Sequence, residues 1–196
     1  GTVVGRVQAN AQTDIHLALK TLLGIEASER RTQALETRLG EKIYSRPYRR
    51  ADLDFILISV PTEIARQVKP TLAYYAANSL PVFSTAHIHE IFEDPETQAD
   101  LSGVRFIDAP FVLNRYEAAR QKTLSALPNR SLATLRLEAF GMDSYHLYQQ
   151  LPLMMTSKQH QFNGASGTLT LTPDQRIRRR AAAAIFENGE SKILPD

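Results

Sequence analysis

Hydrophobic positions along the chain switch repeatedly between a helical and an extended period. In TDIHLALKTLLG, Ile15, Leu19, Leu22 and Leu23 recur at helical spacing, with Asp14 placed to cap the helix and Gly24 to stop it. The charged stretch ASERRTQALETRLG predicts a second helix with Leu35 and Leu39 inward, ending at Gly40. The unbroken apolar run FILISV, Phe55 to Val60, predicts a central strand covered on both faces, as in parallel sheets. Beyond Pro61 the apolar positions Ile64, Val68, Leu72 and Tyr75 return to the helical period. Pro70 lies inside that helix, where it removes a donor and bends the backbone. Strand patterns follow at Leu80 to Thr85 and, after the acidic loop EDPETQAD, at Gly103 to Val112. Two shorter β-rich runs, Thr2 to Val7 and KIY at 42–44, stand nearer the start.

The remainder changes character. A helical stretch from Tyr116 to Met155 is expected in two or three pieces, broken at Pro128 and Gly141. Thr168 to Thr172 is strand-like, Pro173-Asp174 signals a turn, and Asn188-Gly189 favours a tight hairpin. RRRAAAAIF has helix-favouring composition, but it sits between two turn signals and is assigned to a strand. Strands alternating with helices over short links imply an α/β fold, a parallel sheet with crossover helices. No internal repeat or low-complexity linker interrupts it.

Composition narrows the chemistry. A chain of 196 residues, 43% hydrophobic and 22% charged, can bury a sizeable core. At roughly 150 residues per domain it fits one domain. The formal charge of +2, from 23 basic and 21 acidic side chains, demands no polyanionic partner, and nucleic acid is not expected. With no cysteine, disulfides, thiolate metal sites and cysteine nucleophiles are excluded. The apolar runs are far shorter than the ~20 residues that span a bilayer. GTVVGRV carries neither an initiator Met nor a leader, so the chain reads as a piece of a longer protein.

Candidate sites are few. A phosphate-binding turn between strand and helix needs glycines so that backbone donors can approach the anion. SVPTEIA has none, and Pro61 and Glu63 suit a plain helix start instead. His87 and His89 form an HIH pair near Glu90, Glu93 and Asp94, but no metal-binding spacing is present, and both read as loop histidines. GASG at 164–167 is not a GxSxG nucleophile turn. Asp143, Ser144 and His146 are adjacent, yet triads are assembled in space, and Asp143 reads as a helix cap. No metal and no cofactor are expected. Two basic clusters could dock a partner: Arg46, Arg49 and Arg50 among Tyr44 and Tyr48, and Arg178, Arg179 and Arg180.

The order DFILISVPTEIARQVKPTL, SLPVFSTAHI, LSGVRFIDAPFVL, then GMDSYHLYQQL and FNGASGTLTLTPDQRIRR resembles the later half of a type I periplasmic-binding-protein domain. The blocks HLALKTLLGIEASERRTQALETRLGEKIYSRPYRRADLDFILI and ARQVKPTLAYYAANSLPVFSTAHI resemble, more narrowly, the C-terminal domain of the LpoA family. These are outer-membrane lipoproteins that activate class A penicillin-binding proteins. The resemblance implies a Rossmann-like three-layer fold with a C-terminal β-hairpin. Residues 1–112 and 162–196 would form most of the second lobe, and the helical segment 113–161 would belong to the first. It implies no enzyme activity, but docking on a class A penicillin-binding protein and stimulation of peptidoglycan cross-linking. The location implied is the periplasmic face of the outer membrane, with membrane association only through a lipid anchor absent from these residues. Ser59, Pro61, Thr62, Thr85 and His87 would line the interlobe cleft.

The chain departs from that pattern. By the resemblance, the first lobe's early strands, the first unit of the second lobe, the helical domain and the lipidated cysteine are expected to lie outside these residues, and alanines stand at 181–184 where bulkier side chains are expected. Two other readings follow from the same residues. One is a periplasmic sensor of amino-acid-type ligands, for which Ser59, Thr62 and Thr85 supply part of a site. The other is a Rossmann-like enzyme, which lacks a glycine-rich turn and an assembled acid, base or nucleophile.

Overall fold

A computed structural model describes residues 1–10, 12–90, 99–113, 117–126, 130–157 and 159–195. The chain divides into two compact units, Gly1–Phe83 and Ser84–Asp196.

The first unit opens with helix α1 (Ile15–Leu22), capped where the sequence indicates: Asp14 accepts the Leu17 N–H. Gly24 follows with φ 69°, the left-handed conformation that suits glycine after a helix end. Helix α2 (Ile25–Leu39) ends at Gly40, φ 71°. The expectation for its apolar face fails. Ile25 and Ser28 are buried, while Leu35 and Leu39 are exposed, because α2 packs only through its first turns. KIY is no strand. The backbone donors of Ile43 and Tyr48 go to the Glu36 and Ser28 side chains of α2, leaving no ladder to join. Thr2 to Val7 is likewise not a strand, and Val3 is exposed. β-propensity without a partner strand does not make one.

Strand β1 (Ile56–Ile58) and helices α3 (Thr62–Ala65) and α4 (Val68–Tyr74) lead to β2 (Val82–Ser84). β1 and β2 are sheet neighbours joined by this helical crossover, the connection parallel strands require. β1 is shorter than FILISV and not covered on both faces. Ile58 is buried, but Phe55 and Leu57 are more than half exposed. Phe55 instead rests edge-on against Phe83, ring centroids 5.5 Å apart. The Pro70 effect is visible one turn upstream. The helix from Thr62 is interrupted at Arg66–Gln67, because Arg66 loses the donor that residue 70 would supply.

The second unit holds a short 3-10 turn (Ala86–Ile88), β3 (Arg105–Asp108), α5 (Glu117–Ala126) and α6 (Leu132–Thr156). Two sheets follow from the tail. β4 (Gln161–Asn163), β5 (Thr168–Leu171) and β6 (Ile177–Arg180) form an antiparallel three-stranded sheet. β7 (Ala182–Glu187) and β8 (Glu190–Ile193) extend antiparallel from β3 in the order β3-β7-β8. The α/β reading therefore holds, with the C-terminal strands antiparallel. RRRAAAAIF is strand on both sides of Ala181. Asn188 and Gly189 turn the β7–β8 hairpin, both with positive φ, as a type I′ turn requires. The break expected at Gly141 does not occur, and α6 runs through it and through Pro152. Pro128 lies outside the described residues.

One of these alanines, Ala184, has a packing reason. Phe106 of β3 faces Ala184 across the ladder, and its ring stacks on Phe186, centroids 4.4 Å apart. Large opposite small fills the layer, and Ala184 has no exposed surface. Ala184→Leu is expected to overpack it and lower stability by roughly 1–3 kcal/mol, read from urea melts.

Candidate functional site

Three polar arrangements stand out, all in the second unit. The first joins the loop after β2, the end of β3 and α6. Asp108 is the inward partner of Phe106 on β3 and is 2% exposed. Its Oδ1 accepts from Arg136 Nε at 2.8 Å and from the Ala109 N–H at 2.7 Å. Oδ2 accepts from Arg136 Nη2 at 2.8 Å and lies 2.7 Å from His89 Nδ1. The same Arg136 nitrogen reaches the carbonyls of Ala86 and His89, at 3.0 and 2.8 Å. Burial alone would push the Asp108 carboxyl up. Hydrogen bonds from Arg136 and His89 outweigh it and hold the group below the usual carboxylate range. His89 is thus a loop histidine, as expected, but a buried one, orienting a carboxylate. The His89 ring nitrogen Nδ1 is directed to the carboxylate. The arrangement braces three elements, a structural task.

The second arrangement explains GASG. Asp143, in the middle of α6 and 3% exposed, accepts from the Ala165 N–H at 2.6 Å. It also accepts the Ser166 N–H at 2.7 Å and the Ser166 hydroxyl at 2.5 Å. It caps no helix, contrary to expectation. It clamps a loop. Gly164 is needed because a Cβ there would fall on the Asp143 carboxylate, and Gly167 because its φ is 152° and a Cβ would strike the Arg180 carbonyl.

The third is the outer face of the β4–β5–β6 sheet. Register places Arg178 opposite Thr170 and Arg180 opposite Thr168, and with Gln161 they line one shallow groove. Arg179 has the other parity, and its Nη1 donates to the Ser166 carbonyl at 3.1 Å. The other basic cluster, in the first unit, is less available. Arg46 is exposed, but Arg50 holds Asp52 through two 2.6 Å bonds, and Arg49 leans on the Arg50 carbonyl.

The expected cleft residues fall in both units. Pro61 caps α3 through its carbonyl, with Ser59 exposed just before it and Thr62 buried just after. In the second unit Thr85 Oγ1 and His87 Nδ1 are 3.2 Å apart. Glu93 and Asp94 lie outside the described residues. Among the described residues no group of three or more His, Cys, Asp or Glu could hold a metal, and no helix is long and apolar enough to cross a membrane. Asp108 and Arg136 are the residues that sequence reasoning missed. The available signal was parity: Asp108 shares the inward face with Phe106.

A family model described as "LppC putative lipoprotein" matches residues 2–189. The chain belongs to the LppC family. Curated relatives include the penicillin-binding protein activator LpoA of Vibrio cholerae serotype O1, 23% identical over 172 residues, covering 85% of this chain and 28% of that protein. LpoA of Photobacterium profundum is 23% identical over 188 residues, 90% of this chain and 29% of that protein. The chain thus spans under a third of the curated relatives it matches. Among solved structures, the C-domain of LpoA from Haemophilus influenzae, "a regulator of PBP1A", superposes with a TM-score of 0.66 at 16% identity. That match covers 88% of this chain and 58% of the other. A "putative branched-chain amino acid ABC transporter" from Chromobacterium violaceum gives 0.51 at 23% identity, covering 84% and 56%. The fold is that of the LpoA C-domain and of periplasmic-binding-protein-like domains. The LpoA relatives are named as activators.

Proposed function

We propose that this LppC-family chain is a non-enzymatic regulator of peptidoglycan synthesis that docks on a class A penicillin-binding protein and stimulates its transpeptidase. It would act as part of a lipoprotein at the periplasmic face of the outer membrane. The observation that carries this reading is the family match across residues 2–189, with relatives named penicillin-binding protein activators. The described side chains agree with a docking role. Their most elaborate polar cluster braces the fold, whereas Arg178 and Arg180 present cations outward beside threonine hydroxyls. Of the two basic clusters, this strand is the better candidate surface, because Arg178, Arg179 and Arg180 are all exposed whereas Arg49 and Arg50 are half-buried.

The test uses the full-length protein and a purified class A synthase. Arg178→Glu with Arg180→Glu is expected to weaken binding about tenfold or more, measured by biolayer interferometry, and to lower stimulated cross-linking in parallel. Arg46→Glu with Arg49→Glu is expected to leave both unchanged. Wild-type protein that neither binds nor stimulates would sink the functional reading. Binding lost only on reversal of Arg46 and Arg49 would move the surface.

A further inference from the structure

The β4–β5–β6 sheet has one apolar and one polar side. Leu169 is buried and Phe162 half-buried on the first. Register places Gln161, Asn163, Thr168, Thr170, Arg178 and Arg180 on the second, and none of these is acidic. A polar sheet face is stable in water and needs no cover, so packing does not explain its composition. The side chains stand in two rows across the strands. Gln161, Thr170 and Arg178 form one row, and Asn163, Thr168 and Arg180 the other. The groove between them is lined from all three strands, by Gln161, Thr168, Thr170, Arg178 and Arg180. Residues two apart on a strand are separated by roughly 6.8 Å, and neighbouring strands by roughly 4.8 Å. At one end, therefore, a guanidinium stands on each bank. Two threonine hydroxyls follow in the middle, and a carboxamide lies about 10 Å from the arginines.

The chemistry of the lining selects a ligand. Both cations are arginines, whose planar forks match a carboxylate. Backbone donors lie in the plane of the sheet, so only side chains face the groove, unlike the backbone nests that hold phosphate. The strand that carries the arginines is fixed from behind. Arg179 donates to the Ser166 carbonyl at 3.1 Å, and Asp143 accepts the Ser166 N–H at 2.7 Å. The two banks are thus set before a ligand arrives, which lowers the ordering cost of binding. We propose that this groove is a carboxylate-binding site for a short acidic peptide segment. Arg178 and Arg180 hold one carboxylate between them, and Thr168 and Thr170 hydrogen-bond the peptide units beside it. Gln161 meets the peptide unit about three extended residues further on. On the docking reading above, on which this rests, the strand contacts a partner protein. The groove adds what is recognised there: one acidic side chain followed by extended backbone.

The probe is a peptide with blocked ends and a single glutamate flanked by threonines and glycines. It is titrated against the full-length protein and followed by saturation-transfer difference NMR. Binding is expected to be about tenfold tighter than that of the same peptide with glutamine for glutamate. Acetate, which has the charge but no backbone, is expected to bind about tenfold more weakly too. Arg178→Gln with Arg180→Gln is expected to abolish the signal, and Arg46→Gln with Arg49→Gln to leave it unchanged. Thr170→Val keeps both charges and the strand but removes one hydroxyl, and is expected to weaken binding about threefold. Circular dichroism checks that the variants stay folded. Equal binding of peptide and acetate, an equal loss on removing either arginine pair, or no effect of Thr170→Val would each overturn the site. The two readings fail separately. A synthase whose binding depends on Arg178 and Arg180, with a peptide that does not bind, overturns the groove and leaves the function. A peptide held by these residues on a protein that neither binds nor stimulates a synthase does the reverse.

Discussion

Asp108→Ala is expected to destabilise the protein by about 3–5 kcal/mol, the range for removing one member of a buried ion pair. Arg136 would keep its charge beside β3 with no carboxylate to neutralise it, and the Ala109 N–H and His89 Nδ1 would lose their partner. Urea denaturation at neutral pH reads the loss. The pH dependence has a definite sign. The folded Asp108 carboxyl sits below its unfolded value of about 3.9. It therefore contributes stability that is fully present above that value and is lost as pH falls through the folded pKa. Wild-type stability should drop in acid more steeply than that of Asp108→Asn, which has no charge to lose. Equal acid slopes would show that the cluster does not act through the aspartate charge.

Gly167→Ala is expected to have an effect of similar size. Its backbone stands at φ 152°, and the added methyl would meet the Arg180 carbonyl, part of a ladder that cannot step aside. A loss of about 3 kcal/mol or more, or failure to accumulate folded protein, is the expected outcome. Gly164→Ala should be nearly as harmful, because it displaces the carboxylate that holds the loop. Asp143→Ala separates the two causes. It leaves the Ala165 and Ser166 donors unpaired, yet it should partly relieve Gly164→Ala in the double variant while doing nothing for Gly167→Ala. Thermal melts of the five proteins test this, and additive losses at residues 143 and 164 would refute the clamp.

These sites show which parts of the molecule local pattern could reveal. Asp14 and Gly24 bound α1 as their chemistry requires, and Asn188-Gly189 turns a hairpin, because caps and tight turns are decided within a few residues. The strand character of RRRAAAAIF followed from the turns around it and overrode its helical composition. Burial was less legible. Leu35, Leu39, Phe55 and Leu57 look like core in sequence, but their exposure depends on what lies across from them. The polar clusters were hidden for the same reason. Asp143 looked like a cap because nothing nearby in sequence shows that residues 165 and 166 come to it. The burial of His89 was hidden because its partner is 19 positions away. The glycines of FNGASG were read only as failing a nucleophile-turn pattern, because the carboxylate that makes them necessary lay on another element.

Helix α6 carries both Arg136 and Asp143, seven residues apart and so about 10.5 Å along its axis. Apolar side chains alone tolerate a helix sliding by one turn, since leucines and alanines can trade hollows. Two polar teeth engaging different stops, a strand end and a glycine loop, do not. The helix is therefore indexed like a key with two cuts, and a shift in either direction must disengage both at once.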